Sequence, residues 1–198
     1  TADFTFKPGN AFWITSENSI NVNKTVSAVT VNSSDTYPVT LNPGGWTQIS
    51  NPFDSDVDWD DIRTVNGLAV NHIIWKWEGN WETSDKMKPG RGYYFLAPTG
   101  LTSLYIPHPG KKSAVFSSGN MNKCDDLTFT ITEDVQPRGS VRIGFRQNAV
   151  QGWDPNDIPM PTGHFETIGM RLLISDGIQE IREGWLDARS AIGDGQSY

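Results

Sequence analysis

Residues 88–97 have the sequence KPGRGYYFLA, in which a Pro-Gly turn precedes five apolar residues. Tight turns require Pro and Gly, and a short aromatic run after such a turn is typical of a buried strand. The same arrangement stands 81 residues earlier, as KPGNAFW at residues 7–13. We therefore expect an internal repeat in which each Pro-Gly turn begins a strand.

Further strand and turn signals surround this segment. In the first half the predicted strands are Trp46–Ser50, Ile73–Glu78, Gly92–Ala97 and Ser103–Pro107. In the last third they are Leu127–Thr132, Ser140–Phe145, Met170–Ser175 and Ile178–Trp185. Turns are predicted at residues 78–81, 136–139 and 176–177. One short helix is predicted over residues 58–67, because Asp58 can cap its start and Gly67 can end it.

The composition of the 198 residues favours the same fold class. With 19 Gly, 12 Pro and only 20% charged residues, the chain suits short strands joined by tight turns. We predict an all-β chain of antiparallel β-sandwich units with one short helix. Residues 1–110 form a repeat-type module that starts inside a repeat and contains a full repeat at 41–110. Residues 111–124 are a linker, and residues 125–198 form a second β-sandwich segment.

The net charge of the chain bears on its partners. The formal net charge is -7, whereas proteins that bind nucleic acids or anionic membranes carry basic surfaces. We therefore expect neither a nucleic-acid partner nor a membrane partner.

The single cysteine, Cys124, cannot form an internal disulfide, so packing has to hold the fold together.

The sequence carries none of the common catalytic motifs. Its three histidines, His72, His108 and His164, are scattered along the chain. There is no nucleophile elbow, zinc-protease motif, P-loop or dinucleotide-binding glycine motif. We expect no enzymatic activity, although two carboxylates that face each other across a cleft would leave no signature in the sequence.

Five aspartates between residues 54 and 61 form the first candidate cation site. The EF-hand template fails here, because Trp59 stands where the loop needs Gly and Val65 where it needs Glu. The alternative is that these aspartates mark a capped helix start on a solvated surface.

A second acidic group lies in a loop that contains three prolines. Its members, Asp154, Asn156 and Asp157, are the predicted ligands of a structural calcium ion, because hard cations take oxygen ligands. The alternative is that these side chains make Asx-type turns with the backbone of their own loop.

Aromatic residues are the most informative group, since 8 of them are Trp. Trp and Tyr rings can stack on the C–H faces of sugars, and they also fill protein cores. A flat platform formed by Trp75, Trp77, Trp81, Tyr93 and Tyr94 is one interpretation.

The alternative is that Trp13, Trp46, Trp75, Trp77 and Phe95 fill a small core. If Trp75 and Trp77 point inward, the exposed rings are those in or beside polar loops. The predicted ligand-binding residues are Trp81, Trp59 and Trp153, then Trp77 and Tyr93, with Asn80, Glu82 and Arg91 as hydrogen-bond partners.

Three segments carry a resemblance to a known family: GWTQISNPF at residues 45–53, IWKWEGNW at 74–81 and MKPGRGYYF at 87–95. They resemble the Trp and Pro-Gly repeats of large secreted bacterial proteins, many of them cargo of the type IX secretion system. The last third looks like the β-sandwich segment that often follows such repeats. The resemblance implies an extracellular or cell-surface, non-catalytic module, with carbohydrate binding as the commonest assigned role.

Together these patterns predict a carbohydrate-binding module of a secreted modular bacterial protein. Its expected partners are a polysaccharide of the xylan or β-glucan type and other modules of the same polypeptide. The alternative is a structural or adhesive spacer of a cell-surface protein that binds no sugar.

Overall fold

The computed structural model describes residues 7–13, 17, 19, 21, 28–110, 126–146, 149–150, 152–154, 157–161, 170–175 and 181–189. The chain divides into two compact units. The first comprises Thr1–Lys76 and Thr83–Ser118, and the second comprises Trp77–Glu82 and Gly119–Tyr198. The expected linker at residues 111–124 and the expected turn at 176–177 lie outside the described residues.

Strands and one short helix make up the regular structure of the described residues. In chain order the elements are β1 (Thr36–Thr40), β2 (Trp46–Ser50), β3 (Val57–Asp58), α1 (Trp59–Asn66), β4 (Ile74–Trp77), β5 (Trp81–Ser84), β6 (Lys86–Met87), β7 (Gly92–Leu96), β8 (Ser103–Pro107), β9 (Asp126–Glu133), β10 (Gln136–Phe145), β11 (Ile158–Pro159), β12 (Leu172–Ser175) and β13 (Ile181–Arg189). The prediction of an all-β chain is confirmed.

Most strand pairs are antiparallel, as predicted. The central sheet has the order β2-β7-β4-β5, and two small sheets pair β1 with β8 and β3 with β6. The remaining sheet has the order β11-β13-β10-β9, and β12 also pairs with β13. The pair β10–β13 is parallel. Parallel pairing needs a long crossover between its strands, and more than thirty residues separate β10 from β13.

The turn predicted at residues 136–139 lies elsewhere. Glu133 pairs with Gln136, so the loop between β9 and β10 consists of Asp134 and Val135 alone. Both residues have positive φ, 48° and 62°, which is the backbone of a two-residue hairpin turn. Pro137 falls instead at a register shift inside β10, one of the few places where a strand accepts proline.

The core of the first unit lies on one face of the central sheet. Ile49 of β2, Ile74 of β4 and Phe95 of β7 are fully buried there, and they pack in one cluster with Trp59 and Ile62 of the helix. Because strand side chains alternate between faces, the residues next to them in these strands project from the opposite face of the sheet.

Helix α1 is bounded as predicted, although Asp58 does not cap it with its side chain. The Asp58 carboxylate instead forms an ion pair with Lys86 at 3.3 Å, which raises the pKa of that lysine. Gly67 ends the helix with a φ of 63°. The Asn66 amide then joins the helix to β8, because it donates to the Tyr105 carbonyl and accepts from the Tyr105 N–H, both at 2.8 Å.

No helix in the described part of the chain combines the length and the apolar character that crossing a bilayer requires.

Candidate functional site

Three of the predicted ligand-binding rings are buried, so the expectation that they offer a ring face to a ligand is wrong. Trp59 belongs to the core, where its indole N–H donates to the His72 carbonyl at 2.8 Å. Tyr93 is 3% exposed, and its hydroxyl accepts from the Lys88 N–H at 2.8 Å. Burial raises the pKa of Tyr93. Trp81 is buried and packs edge-on against Trp77, with ring centroids 5.1 Å apart.

The other predicted residues are accessible to different degrees. Trp77 and Trp153 are partly exposed, and so are Asn80 and Glu82, whereas Arg91 is exposed. Asn80 lies in the turn between β4 and β5, where its carbonyl accepts from the Glu78 N–H at 3.1 Å. Among the predicted set, Trp77, Asn80, Trp81 and Glu82 are therefore grouped around one hairpin.

The acidic residues of the proline-containing loop, Asp154 and Asp157, accept hydrogen bonds from backbone N–H groups. Both carboxylate oxygens of Asp157 accept from N–H groups at 2.7 Å, one from Asp154 and the other from Ala188. Asp154 in turn accepts from the Val150 N–H at 2.6 Å. Each N–H places a partial positive charge where a cation would sit, so this geometry favours the Asx-type alternative. Asn156 lies outside the described residues.

The aspartates before and within α1 also have structural partners. Asp60 forms an ion pair with Arg63 one helical turn later, and Asp58 is paired with Lys86. Burial, followed by the charges of Asp58 and Asp60, raises the pKa of Asp61. Among the described residues no group of three or more His, Cys, Asp or Glu side chains is arranged to hold a metal ion.

Further accessible rings lie on the face of the central sheet opposite the core, which we call the second face. Trp46 and Gln48 alternate with Ile49 along β2, and Tyr94 alternates with the buried Tyr93 and Phe95 along β7. Gln48 stands directly opposite Tyr94 in the strand register. These side chains therefore project away from the core and share one surface.

The first copy of the repeated motif adds a fourth residue, Trp13, to this surface. Asn10 forms an antiparallel bridge with Ile49 at the free edge of β2. The Ser50 N–H donates to the Gly9 carbonyl at 2.7 Å, and the Ser50 hydroxyl donates to the Asn10 carbonyl at 2.9 Å. This pairing brings Trp13 over the second face, where 40% of its surface is exposed.

We call the residues Trp13, Trp46, Gln48 and Tyr94 the Trp13 patch. The Trp13 indole N–H donates to the Tyr94 hydroxyl at 2.9 Å. These neighbours orient the Gln48 amide so that its Oε1 accepts from the Trp13 N–H at 2.9 Å and from the Tyr94 hydroxyl at 2.5 Å, while its Nε2 donates to the Ala11 carbonyl at 3.1 Å. Tyr94 has both Trp13 and Trp46 as ring neighbours, with centroids 6.2 Å and 6.3 Å from its ring.

The core alternative for the aromatic residues holds for Phe95 and Trp75, which are both fully buried. Trp13, Trp46, Trp75 and Trp77 do not belong to the main core cluster of the described residues. Trp75 is fully buried, but its pairing opposite Tyr94 places it on the second face of the sheet. Trp75 is therefore buried as the core alternative expects, but on the face opposite Ile74 and the main cluster.

The repeat is the signal that identifies Trp13 in the sequence. Trp13 and Tyr94 are the last residues of the two aligned copies, and they are the two residues joined by the indole-to-hydroxyl bond. The repeat offset therefore pairs residues that lie in contact. Loop position and polarity, which pointed to Trp59 and Trp81, do not detect such a pair.

No family model, no curated protein and no solved structure matches this chain.

Proposed function

We propose that this chain is a non-catalytic carbohydrate-binding module that holds a polysaccharide on the Trp13 patch. The observation that carries the proposal is the exposed Trp13 ring, fixed beside Tyr94 by a shared hydrogen-bond network. An exposed indole held in one orientation loses little conformational freedom when it binds a ligand.

The chemistry of the patch suits a sugar. Sugar rings present C–H groups on their faces, and these pack on aromatic rings such as Trp13, Trp46 and Tyr94. Sugar hydroxyls both donate and accept hydrogen bonds, and the patch offers an amide and a phenol hydroxyl beside its rings. A plant or cell-wall polysaccharide of the xylan or β-glucan type is the expected ligand. The role as one module of a secreted or cell-surface bacterial protein is supported by the sequence resemblance alone.

The test is affinity electrophoresis in native gels that contain soluble xylan, mixed-linkage β-glucan, mannan or pectin. We expect one class to retard the chain and Trp13→Ala to abolish the retardation while the melting temperature stays nearly unchanged. Tyr105→Ala is the matched control, because Tyr105 is 42% exposed but lies on β8 rather than in the patch. Retardation that survives Trp13→Ala would contradict the proposal.

A second candidate function is a structural or adhesive spacer. The burial of Trp59, Trp75 and Trp81 favours it, because these rings serve packing rather than recognition. A spacer predicts unchanged mobility in every gel of the panel, for the parent chain and for Trp13→Ala alike.

A further inference from the structure

The Tyr94 ring is inclined to both of its ring neighbours in the Trp13 patch. The plane of Trp13 makes an angle of 39° with that of Tyr94, and the plane of Trp46 makes an angle of 53° with it. Tyr94 therefore shares its plane with neither neighbour. We infer that the ligand of the patch is a single glycan chain free in solution, and not the flat face of a crystalline polysaccharide. This inference rests on the proposed function.

The physical reason is the shape that each ligand can adopt. A crystalline face is flat and rigid, so it contacts several rings at once only when those rings are coplanar. A single chain rotates about its glycosidic bonds, so successive sugars can turn to meet successive inclined rings. A free chain can therefore contact Tyr94 together with Trp13 or Trp46, whereas a flat face cannot.

Gln48 holds the Trp13 indole in its inclined orientation. Its Oε1 accepts from both the Trp13 N–H and the Tyr94 hydroxyl, and its Nε2 is fastened to the Ala11 carbonyl. Rotating the Trp13 indole would move its off-axis Nε1 away from the Gln48 oxygen, whereas the Tyr94 hydroxyl lies on the rotation axis of its own ring. Gln48 is thus a positioning residue, which acts on the ligand through the indole of Trp13 that it orients.

The backbone under Trp13 is fixed as well. The Gly9 and Asn10 carbonyls accept from Ser50, and the Ala11 N–H donates to the Gln48 carbonyl at 3.4 Å. Because the main chain and the indole N–H are both held, the tilt belongs to the free protein and needs no ligand to create it.

The experiment compares free chains with crystals of the same linkage. Cellohexaose is paired with microcrystalline cellulose and chitohexaose with crystalline chitin, and soluble xylan and mixed-linkage β-glucan are added as further free chains. Calorimetry measures the soluble ligands, and depletion from suspension measures the crystalline ones. We expect binding to at least one soluble glycan and no depletion by either crystal.

Three outcomes separate the inference from the proposed function. Binding to a soluble glycan without depletion by crystals supports both. Depletion by a crystalline form, alone or together with soluble binding, overturns the inference and leaves the proposed function standing. No binding to any glycan overturns the proposed function and the inference with it.

Variants of Gln48 test its positioning role. Gln48→Leu removes every hydrogen bond of the amide, and we expect its affinity for the soluble ligand to fall by about tenfold, a change of about 1.4 kcal/mol. Gln48→Glu keeps an oxygen acceptor for Trp13 and Tyr94 but sets its second oxygen against the Ala11 carbonyl, so it should restore only part of the affinity. Equal losses in the two variants would contradict the role. Tyr105→Ala, outside the patch, should bind like the parent chain.

Discussion

The two copies of the repeated motif begin alike and end differently. Both make a Pro-Gly turn with positive φ, 80° at Gly9 and 68° at Gly90. The second copy continues into β7, which lies between β2 and β4, and its Tyr93 is buried. The first copy makes only the bridge to β2 within the described residues, and its Phe12 is 37% exposed. The neighbouring strands, rather than the motif, therefore determine whether an aromatic ring is packed or presented.

The largest expected effect separates the equivalent rings Tyr93 and Phe12. Tyr93→Ala should lower the free energy of unfolding by about 3–5 kcal/mol, because it leaves a cavity in the core. Phe12→Ala should lower it by less than about 1 kcal/mol, as is usual for exposed positions. Denaturant unfolding of both variants measures the difference. Similar losses would show that the two copies are packed alike.

The next effect separates the two turn glycines. A Cβ on Gly9 would lie 2.4 Å from the Val39 Cγ2, whereas a Cβ on Gly90 meets no atom within 4 Å. Gly90→Ala should cost about 1 kcal/mol for its positive φ alone. Gly9→Ala should cost about 2–4 kcal/mol, because overlap with the buried Val39 is added to the same backbone strain.

Hydrogen exchange of the Ser50 amide reads out this change, since that N–H donates to the Gly9 carbonyl. We expect exchange to accelerate strongly in Gly9→Ala and little in Gly90→Ala. The opposite order would contradict the docking of the first copy against β2.

A third prediction concerns the equivalent residues Trp13 and Tyr94. Each substitution to Ala should weaken glycan binding by about 1–3 kcal/mol, the range of an interface hot spot. Because the two rings touch, the losses should not add, and a double-mutant cycle should show a coupling of about 0.5–1.5 kcal/mol. Calorimetry on the two single variants and the double variant gives this coupling. A value of zero would mean that the rings act separately.

The smallest effect is a pH dependence on the core side of the sheet. Burial lowers the pKa of His72 in the folded chain, with a smaller contribution from the charge of Arg63. The unfolded chain thus binds more protons around pH 6, so stability rises with pH in this window. The free energy of unfolding should hold its full value above about pH 6.5 and fall as the pH drops from there through the lowered folded-state pKa. His72→Gln should remove this part of the dependence, and an unchanged profile would contradict the assignment.

The sequence predicts where strands and the helix lie better than it predicts which side chains lie on each face of a sheet. The bounds of β2 and β8 follow from the strand pattern, and the end of α1 follows from Gly67, as predicted, whereas Asp58 precedes α1 without capping it. Strand β1 was not predicted, because Pro38 interrupts its pattern and proline is unfavourable in most strands. Pro38 is tolerated because β1 has β8 as its one strand partner among the described residues.

Which rings are exposed depends on register, which local pattern does not specify. A shift of one residue exchanges Ile74 and Trp75 between the two faces of β4. Trp59 begins a helix in a polar segment, and only the position of that helix over the sheet buries its ring. Trp13 becomes part of a surface because residues 9–11 pair with β2, a contact between distant parts of the chain.

The most direct test of glycan binding at the Trp13 patch follows the indole N–H signals of a ¹⁵N-labelled chain during titration with the soluble glycan that it binds. The 8 Trp residues give one signal each, so the signal that shifts shows which ring contacts the ligand. We expect the largest shift at Trp13, a smaller one at Trp46, and none at the buried Trp59. A largest shift at Trp77 or Trp153, with Trp13 unchanged, would contradict it.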